Sequence, residues 1–426
     1  MRLLFLLSFL SLFIPIVNSQ VSITPTGTPP DPSSALDIKN SNKGLLIPRL
    51  TLSQRNGIVL PANALLIYQT DNNPGFYYNY GTPLAPVWIS LSSMVDLEAL
   101  RDRIPIDSLP YTISAPGSYY VTANLTGAVG ITIATSNVTL DLNGYTLKGT
   151  AGNNSEGVKV SVAVTNINVK NGGIASWGRE GIKAGLATNS CFSQMQIVSN
   201  ALDGINSGNN DLISFVDAGS NGFDGIDMGE SASIFHCTAS GNGNDGIETD
   251  AGSTIMQCTS RGNTQDGFKI TSASTISNCS SSENQGNGFS CGSGSTVREN
   301  TALHNSLSGF YLFSTSTASD NTSRNNLHHG FEWLNDCVLH NNNASLNAWS
   351  GFSTTFNGGK LDNNNSSSNV QHGFNIQNGG GCLIIRNTAS INGISAFNVL
   401  PGNTFATPVT MATINTNTNP FANFQL

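Results

Sequence analysis

The chain has 426 residues, only 10% of them charged, with a formal net charge of −8. Ordinary domains are roughly 25% charged, so the surface here is built from amides and hydroxyls. No basic run exists to neutralise phosphates, which excludes the usual nucleic-acid binder, whereas sugar hydroxyls pair well with such a surface.

Residues 1–19 read as a secretory signal peptide. Arg2 supplies the positive start, Leu3 to Val17 is apolar, and Val17-Asn18-Ser19 offers small-residue cleavage before Gln20. The mature chain is therefore expected outside the cytoplasm, secreted or on a cell surface. No later segment is long and apolar enough to span a bilayer. Residues 20–34 form a linker rich in Pro, Thr and Ser.

Residues 35–92 read as a small α+β module. ALDI, ALLIYQT, FYYNYG and VWISL have strand character, and LTLSQRNGI suits a short helix. Within the connector, residues 93–110, MVDLEALRDRI (Met94–Ile104) patterns as an amphipathic helix. A connecting or capping role is favoured for it over a short oligomerisation helix.

From residue 111 to about 400 the chain is dominated by a 21-residue period. Gly204-Ile205, Gly225-Ile226, Gly246-Ile247, Gly267-Phe268, Gly288-Phe289, Gly309-Phe310, Gly330-Phe331 and Gly351-Phe352 keep it, and Gly373-Phe374 follows after one extra residue. An asparagine stands four positions before each glycine, from Asn200 to Asn369, and a weaker copy has Asn392 with Ala396-Phe397. A fixed period of this length means a repeat architecture. The unit is too short for two helices but suits three short strands and three bends. Stacking would align an Ile-to-Phe core column, an asparagine column and a third column running Cys237, Cys258, Cys279, Asn300, Asn321 and Asn342. A buried asparagine can serve its own bend and the amide stacked on it.

This pattern resembles the right-handed parallel β-helix proteins, the superfamily of pectate lyases and related secreted proteins. The resemblance implies an all-β, single-stranded β-helix of about twelve coils over residues 111–400. Residues 110–149 are similar to the capping start and first coils of bacterial members. ALDIKNSNKGLLIPRLTLSQRNGI resembles a small module found ahead of other domains in bacterial surface and fibre-like proteins, and a homo-oligomer formed through this region is an open expectation. Residues 401–426 lose the motif and should fold back as a cap, because an open coil exposes unpaired strand edges.

Candidate chemistry concentrates on outward positions of the middle coils. Asp203, Asp224, Asp245 and Asp266 precede the column glycine; Asn206, Asp227, Glu248 and Lys269 follow it by two residues. Stacked carboxylates repel, so solvent, a raised pKa, a basic neighbour or a cation must relieve them. Asp224, Asp227, Asp245 and Glu248 could ligate Ca2+, which takes six to eight oxygens. Asp203, Asp266 and Tyr311 would then be ligand-binding neighbours. In the calcium-dependent pectate lyases that the fold resembles, such a metal holds a uronate while a Lys or Arg removes a proton. The resemblance thus implies Lys269 as base, with Arg261 as runner-up. Turn geometry explains the same aspartates equally, since Asp-Gly is a turn pair, and the sequence lacks the paired aspartates and Gly-His-Gly run of the related polygalacturonases.

His328, His329 and Glu332 form a weaker metal-like group. Tyr311, Trp333 and Trp349 fall on consecutive coils, with Tyr311 expected outward and Trp333 inward. The seven cysteines lack C-x-x-C spacing, which disfavours structural zinc; those in the column read as small core residues. Three functions fit: a protein binding glycans or another surface ligand along its long face, a calcium-dependent polyuronate lyase acting by β-elimination, and a purely structural spacer.

Overall fold

The computed structural model describes residues 20–91, 103–377 and 379–426. The expected signal peptide lies outside these residues, as does most of the helix expected over Met94–Ile104. The chain divides into two units, Met1–Arg101 and Asp102–Leu426.

The first unit holds a four-stranded sheet in the order Arg49–Leu50, Leu66–Gln69, Gly75–Asn79, Trp88–Ser90. A separate parallel pair joins Val21–Ile23 to Leu36–Ile38. Among the described residues of this unit the helix is Leu52–Asn56. Thr51 caps it, and Gln54 returns a bond to the Thr51 backbone, so two otherwise orphaned amides are satisfied.

The second unit is a parallel β-helix. Its first strand is Arg103–Ile106, paired with Gly117–Val121. Arg103 and Ile104 are therefore strand rather than the end of a helix; Pro105 lacks an N–H and disfavours a helical residue before it. The coil that begins at Gly246 shows the plan, with strands Ile247–Thr249, Thr254–Met256 and Thr259–Arg261. The first strand of every coil joins sheet I, a path of fourteen strands from Tyr111–Ile113 to Ser395–Val399. The other two join sheet II, which folds around the remaining sides. Fourteen exceeds the expected twelve because Ile131, Val158 and Ile182 precede Ile205 in the same register. Their spacings are longer and unequal, so a 21-residue search misses them.

The core column is as expected. Ile205, Ile226, Ile247 and the phenylalanines from Phe268 to Phe374 are fully buried. Phe289 stacks on Phe268 at 5.0 Å and on Phe310 at 4.8 Å, with rings 5° and 4° from parallel. Phe397 of the weak last copy joins at 5.0 Å. The column glycines are needed for space: a Cβ on Gly246 would lie 2.6 Å from the Gly267 carbonyl oxygen.

Each coil turns at three left-handed residues. In the Gly246 coil these are Gly252, Gln257 and Gly262, at φ of 73°, 55° and 66°. The next residue at each turn points inward and builds a ladder. Asn284 Oδ1 accepts from the backbone N and the Nδ2 of Asn263 at 3.0 and 2.9 Å. Asn321 does the same for Asn300, and Ser253 Oγ accepts from Ala232 N. Cys237 and Cys258 occupy the second ladder as buried free thiols that donate to Phe235 and Met256 carbonyls. The tail closes the coil: Asn423–Gln425 pairs with the strand at Thr388, and Asn423 Oδ1 caps the asparagine ladder at Asn387 N, 2.9 Å away.

Candidate functional site

Two columns run side by side on the outer face of sheet I. The corner column is the residue before each glycine: Glu156, Glu180, Asp203, Asp224, Asp245, Asp266, Asn287, Ser308, His329 and Ser350. The strand column is Lys159, Lys183, Asn206, Asp227, Glu248, Lys269, Ser290, Tyr311, Glu332 and Ser353, in parallel register throughout.

The corner carboxylates have a structural duty. Asp203 Oδ1 accepts from Asp224 N at 3.0 Å, Asp224 Oδ1 from Asp245 N at 2.7 Å, Asp245 Oδ1 from Asp266 N at 2.8 Å, and Asp266 Oδ1 from Asn287 N at 2.6 Å. Asn287 and His329 continue the duty for Ser308 and Ser350. The turn explanation of the recurrent aspartate thus has a concrete form: one oxygen holds the next coil's amide.

The second oxygens gather on the strip. Carboxylate atoms of Asp224, Asp245 and Glu248 lie within 4.8 Å of one another. Asp227 neighbours Glu248 in register and accepts from Asn206 Nδ2 at 2.6 Å. Burial, then the charges of Asp203, Asp245 and Glu248, push the Asp224 carboxyl up to about 7, against the bond from Asp245 N. Burial with the charges of Asp203 and Glu248 brings Asp227 to about 6. Burial also raises Asp203 and Asp266.

Cations bracket this cluster. On one side Arg179 and Lys159 pair with Glu156, and Lys183 pairs with Glu180 at 3.0 Å. On the other, Lys269 Nζ lies 2.8 Å from Glu248 and 3.2 Å from Asp245. Burial works against the Lys269 charge, but Glu248 and Asp245 outweigh it and raise its pKa. These pairs favour the ammonium over the free amine that a base needs. Arg261 lies on the third strand of its coil, in sheet II, and pairs with Glu283 at 2.9 Å; it is not in either column of the strip.

Four coils on, roughly 19 Å at sheet spacing, the strip changes chemistry. Ser308 Oγ meets His328 Nδ1 at 2.9 Å and Glu332 Oε2 at 2.8 Å. Burial opposes the charge on Glu332, yet its bonds with His328 and Ser308 hold the carboxyl below the ordinary value. Burial and the neighbouring His328 lower His329 to about 4. His328, His329 and Glu332 bring donor atoms together, but His329 Nδ1 accepts from Ser350 N at 3.2 Å. That bond leaves the neutral ring's proton on Nε2 and no outward lone pair for a metal. Trp349 is 43% exposed and covers His328 at 3.9 Å between ring centres. Tyr311 is half-buried on the strip, and Trp333 is buried. The sequence reading missed Ser308 and the acid–base pairs at Glu156 and Glu180; the Gly157 and Gly181 copies of the period would have pointed to the latter.

Family models for a right handed beta helix region match residues 159–327 and 221–389, together more than half of the chain. The chain belongs to the right-handed β-helix family. A model for a phage tail like trimerisation region matches residues 24–104. Among solved β-helix structures, the mannuronan C-5 epimerase AlgE6 A-module of Azotobacter vinelandii is 13% identical, covering 69% of this chain and 90% of that one at a TM-score of 0.46. The periplasmic alginate epimerase AlgG is 11% identical, covering 71% and 78% at 0.43. The Dettilon tailspike protein is 12% identical, covering 72% and 62% at 0.39. No curated protein matches the chain. Among the described residues no helix is long and apolar enough to cross a membrane.

Proposed function

We propose that this chain is a secreted or cell-surface protein that binds polysaccharide along the outer face of sheet I and assembles as a homotrimer through residues 24–104. The observation that carries the binding role is the stacking of twelve charged side chains, with Tyr311 and His329, in two adjoining columns of a chain only 10% charged. Such a strip presents sugar-facing groups at the repeat of the coils. The trimerisation-region match supports the assembly.

The acidic zone suits acidic polysaccharide only if a divalent cation mediates. Asp224, Asp227, Asp245 and Glu248 would hold Ca2+, in line with the oxygen donors it requires. Lys269 competes for Asp245 and Glu248, so the free oxygens of Asp224 and Asp227 would matter most. The test is affinity electrophoresis of the purified chain in gels containing polyuronate or neutral glycan, with and without calcium. Retardation by polyuronate in calcium, lost in an Asp227→Asn/Glu248→Gln variant, is expected. Mobility indifferent to every glycan, or unchanged in the variant, would overturn the reading.

A second reading is catalytic: polyuronate lyase action by β-elimination, with Lys269 on the strip and Arg261 remote from it. It is favoured by the placement of Lys269 Nζ, 2.8 Å from Glu248 and 3.2 Å from Asp245, beside the Asp224 carboxyl that burial raises to about 7. Absorbance of an unsaturated product would reveal it.

A further inference from the structure

We propose that the first unit trimerises by closing a groove lined by Leu45, Leu46, Tyr68 and Phe76 against the same region of neighbouring copies. This rests on the trimer reading above and names its contact surface. Among the described residues of the unit only Pro61, Ile67, Gln69 and Asn79 are fully buried. Two of these four are polar, and each is satisfied from within. Gln69 takes Arg55 at 2.7 Å and donates to the Asp71 and Asn72 carbonyls. Asn79 donates to Pro61 and accepts from Val87 N. Polar bonds therefore hold the unit together, and it has almost no apolar core. Units of this size need a staple, a metal or association to be stable; this one has no cysteine.

Its apolar side chains lie outside instead. Leu45 and Leu46 are 64% and 75% exposed. With Ile47, Arg49, Tyr68 and Phe76 they line a groove of about 330 Å³, in which Tyr68 and Phe76 pack edge to face at 5.2 Å. Leu45 and Leu46 belong to no strand. Among the described residues the adjoining strand Arg49–Leu50 pairs only with Leu66–Gln69, so one edge of the sheet is open to them beside the groove. Contiguous exposed apolar surface beside an open edge marks a protein contact. The matched trimerisation region, residues 24–104, contains every residue of the groove, which makes further copies of this chain the occupant.

The test is the mass of the full mature chain by light scattering over a range of concentrations. The wild type should run at three chains. Leu45→Asp/Leu46→Asp should run at one, with the far-ultraviolet spectrum and β-helix melting retained. Leu46→Gln should raise the dissociation constant at least about tenfold, as loss of an interface anchor does. Leu186→Asp, on an exposed leucine of the β-helix, should stay at three. A wild type at one chain overturns the trimer reading itself. A trimeric wild type whose mass survives both groove variants, or falls with Leu186→Asp, overturns the groove.

Discussion

Asp224 Oδ1 holds the backbone N–H of Asp245, its counterpart one coil on, at 2.7 Å. The same oxygen also accepts from Asn244 Nδ2 at 2.9 Å, so a single carboxylate atom ties the two coils together twice. The acidic column is therefore built into the stacking of the coils, and its charge is the cost of a backbone bond that Asn287 makes without charge one column position later.

The pH dependence of stability follows. The folded pKa values of Asp224 and Asp227 stand above ordinary carboxylate values, at about 7 and about 6. The folded state thus binds more protons than the unfolded chain between roughly pH 4 and 7, and stability falls as pH rises through that window. Their contribution is fully present below pH 4 and lost above pH 7. Calcium should reverse this, since a ligand bound only by the native state stabilises it. Melting curves should show a calcium-dependent rise of a few degrees at pH 8 and little at pH 5. Asp227→Asn should blunt it; Asp362→Asn should not, because Asp362 is tied to Lys360 and Arg386 in sheet II. Calcium-independent melting would leave the acids with their coil-tying role alone.

Stacking sets the next expectation. Phe310 lies between Phe289 and Phe331 at 4.8 and 4.7 Å. Phe310→Ala should cost about 3–5 kcal/mol in denaturant melts, as other large-to-small core changes do. Asn305 Oδ1 accepts from both the backbone N and the Nδ2 of Asn284, at 3.1 and 3.0 Å. Asn305→Ala strands those groups and should cost about 1–3 kcal/mol.

The fold was legible because stacking converts sequence period into spatial contact: the same residue type returns wherever it must touch itself. Phe, Gly and Asn columns therefore announce themselves. The early coils did not, because Gly157 and Gly181 carry longer loops before the next glycine. The left-handed turns were also hidden. Gln257, Asn278, Glu299 and Asp320 share one turn position with φ from 55° to 59°, and no common residue type marks it. The candidate site was legible as an acidic column, but the sequence could not show that Lys269 closes on Glu248, that Arg261 turns to the other sheet, or that Trp349 covers His328. Those depend on where side chains reach across coils.

The hidden turns give a stability prediction. Ile391 sits at φ 53° and is 81% exposed. A β-branched side chain there is strained, at roughly 1–2 kcal/mol for a left-handed residue, and almost no buried area offsets it. Ile391→Gly relieves the strain but loosens the unfolded chain by roughly 0.5–1 kcal/mol. A net gain of up to about 1 kcal/mol is expected in denaturant melts, an unusual sign for removing a large apolar residue. A loss of stability would mean that Ile391 packs against something in solution.

Trp349 and Trp333 separate binding from folding. Trp333 is buried in the coil, and Trp333→Ala should cost about 3–5 kcal/mol of stability. Trp349 offers its face to solvent above His328, beside Glu332 and its bond to Ser308. An exposed aromatic that stacks on a pyranose ring contributes ~1 kcal/mol, about fivefold in affinity. Trp349→Ala should weaken polysaccharide retention by about that factor while leaving the melting temperature close to wild type. Oligosaccharide titration should shift tryptophan emission in the wild type and not in this variant. Retention unchanged by Trp349→Ala but abolished by Asp227→Asn would confine recognition to the acidic zone, five to six coils away.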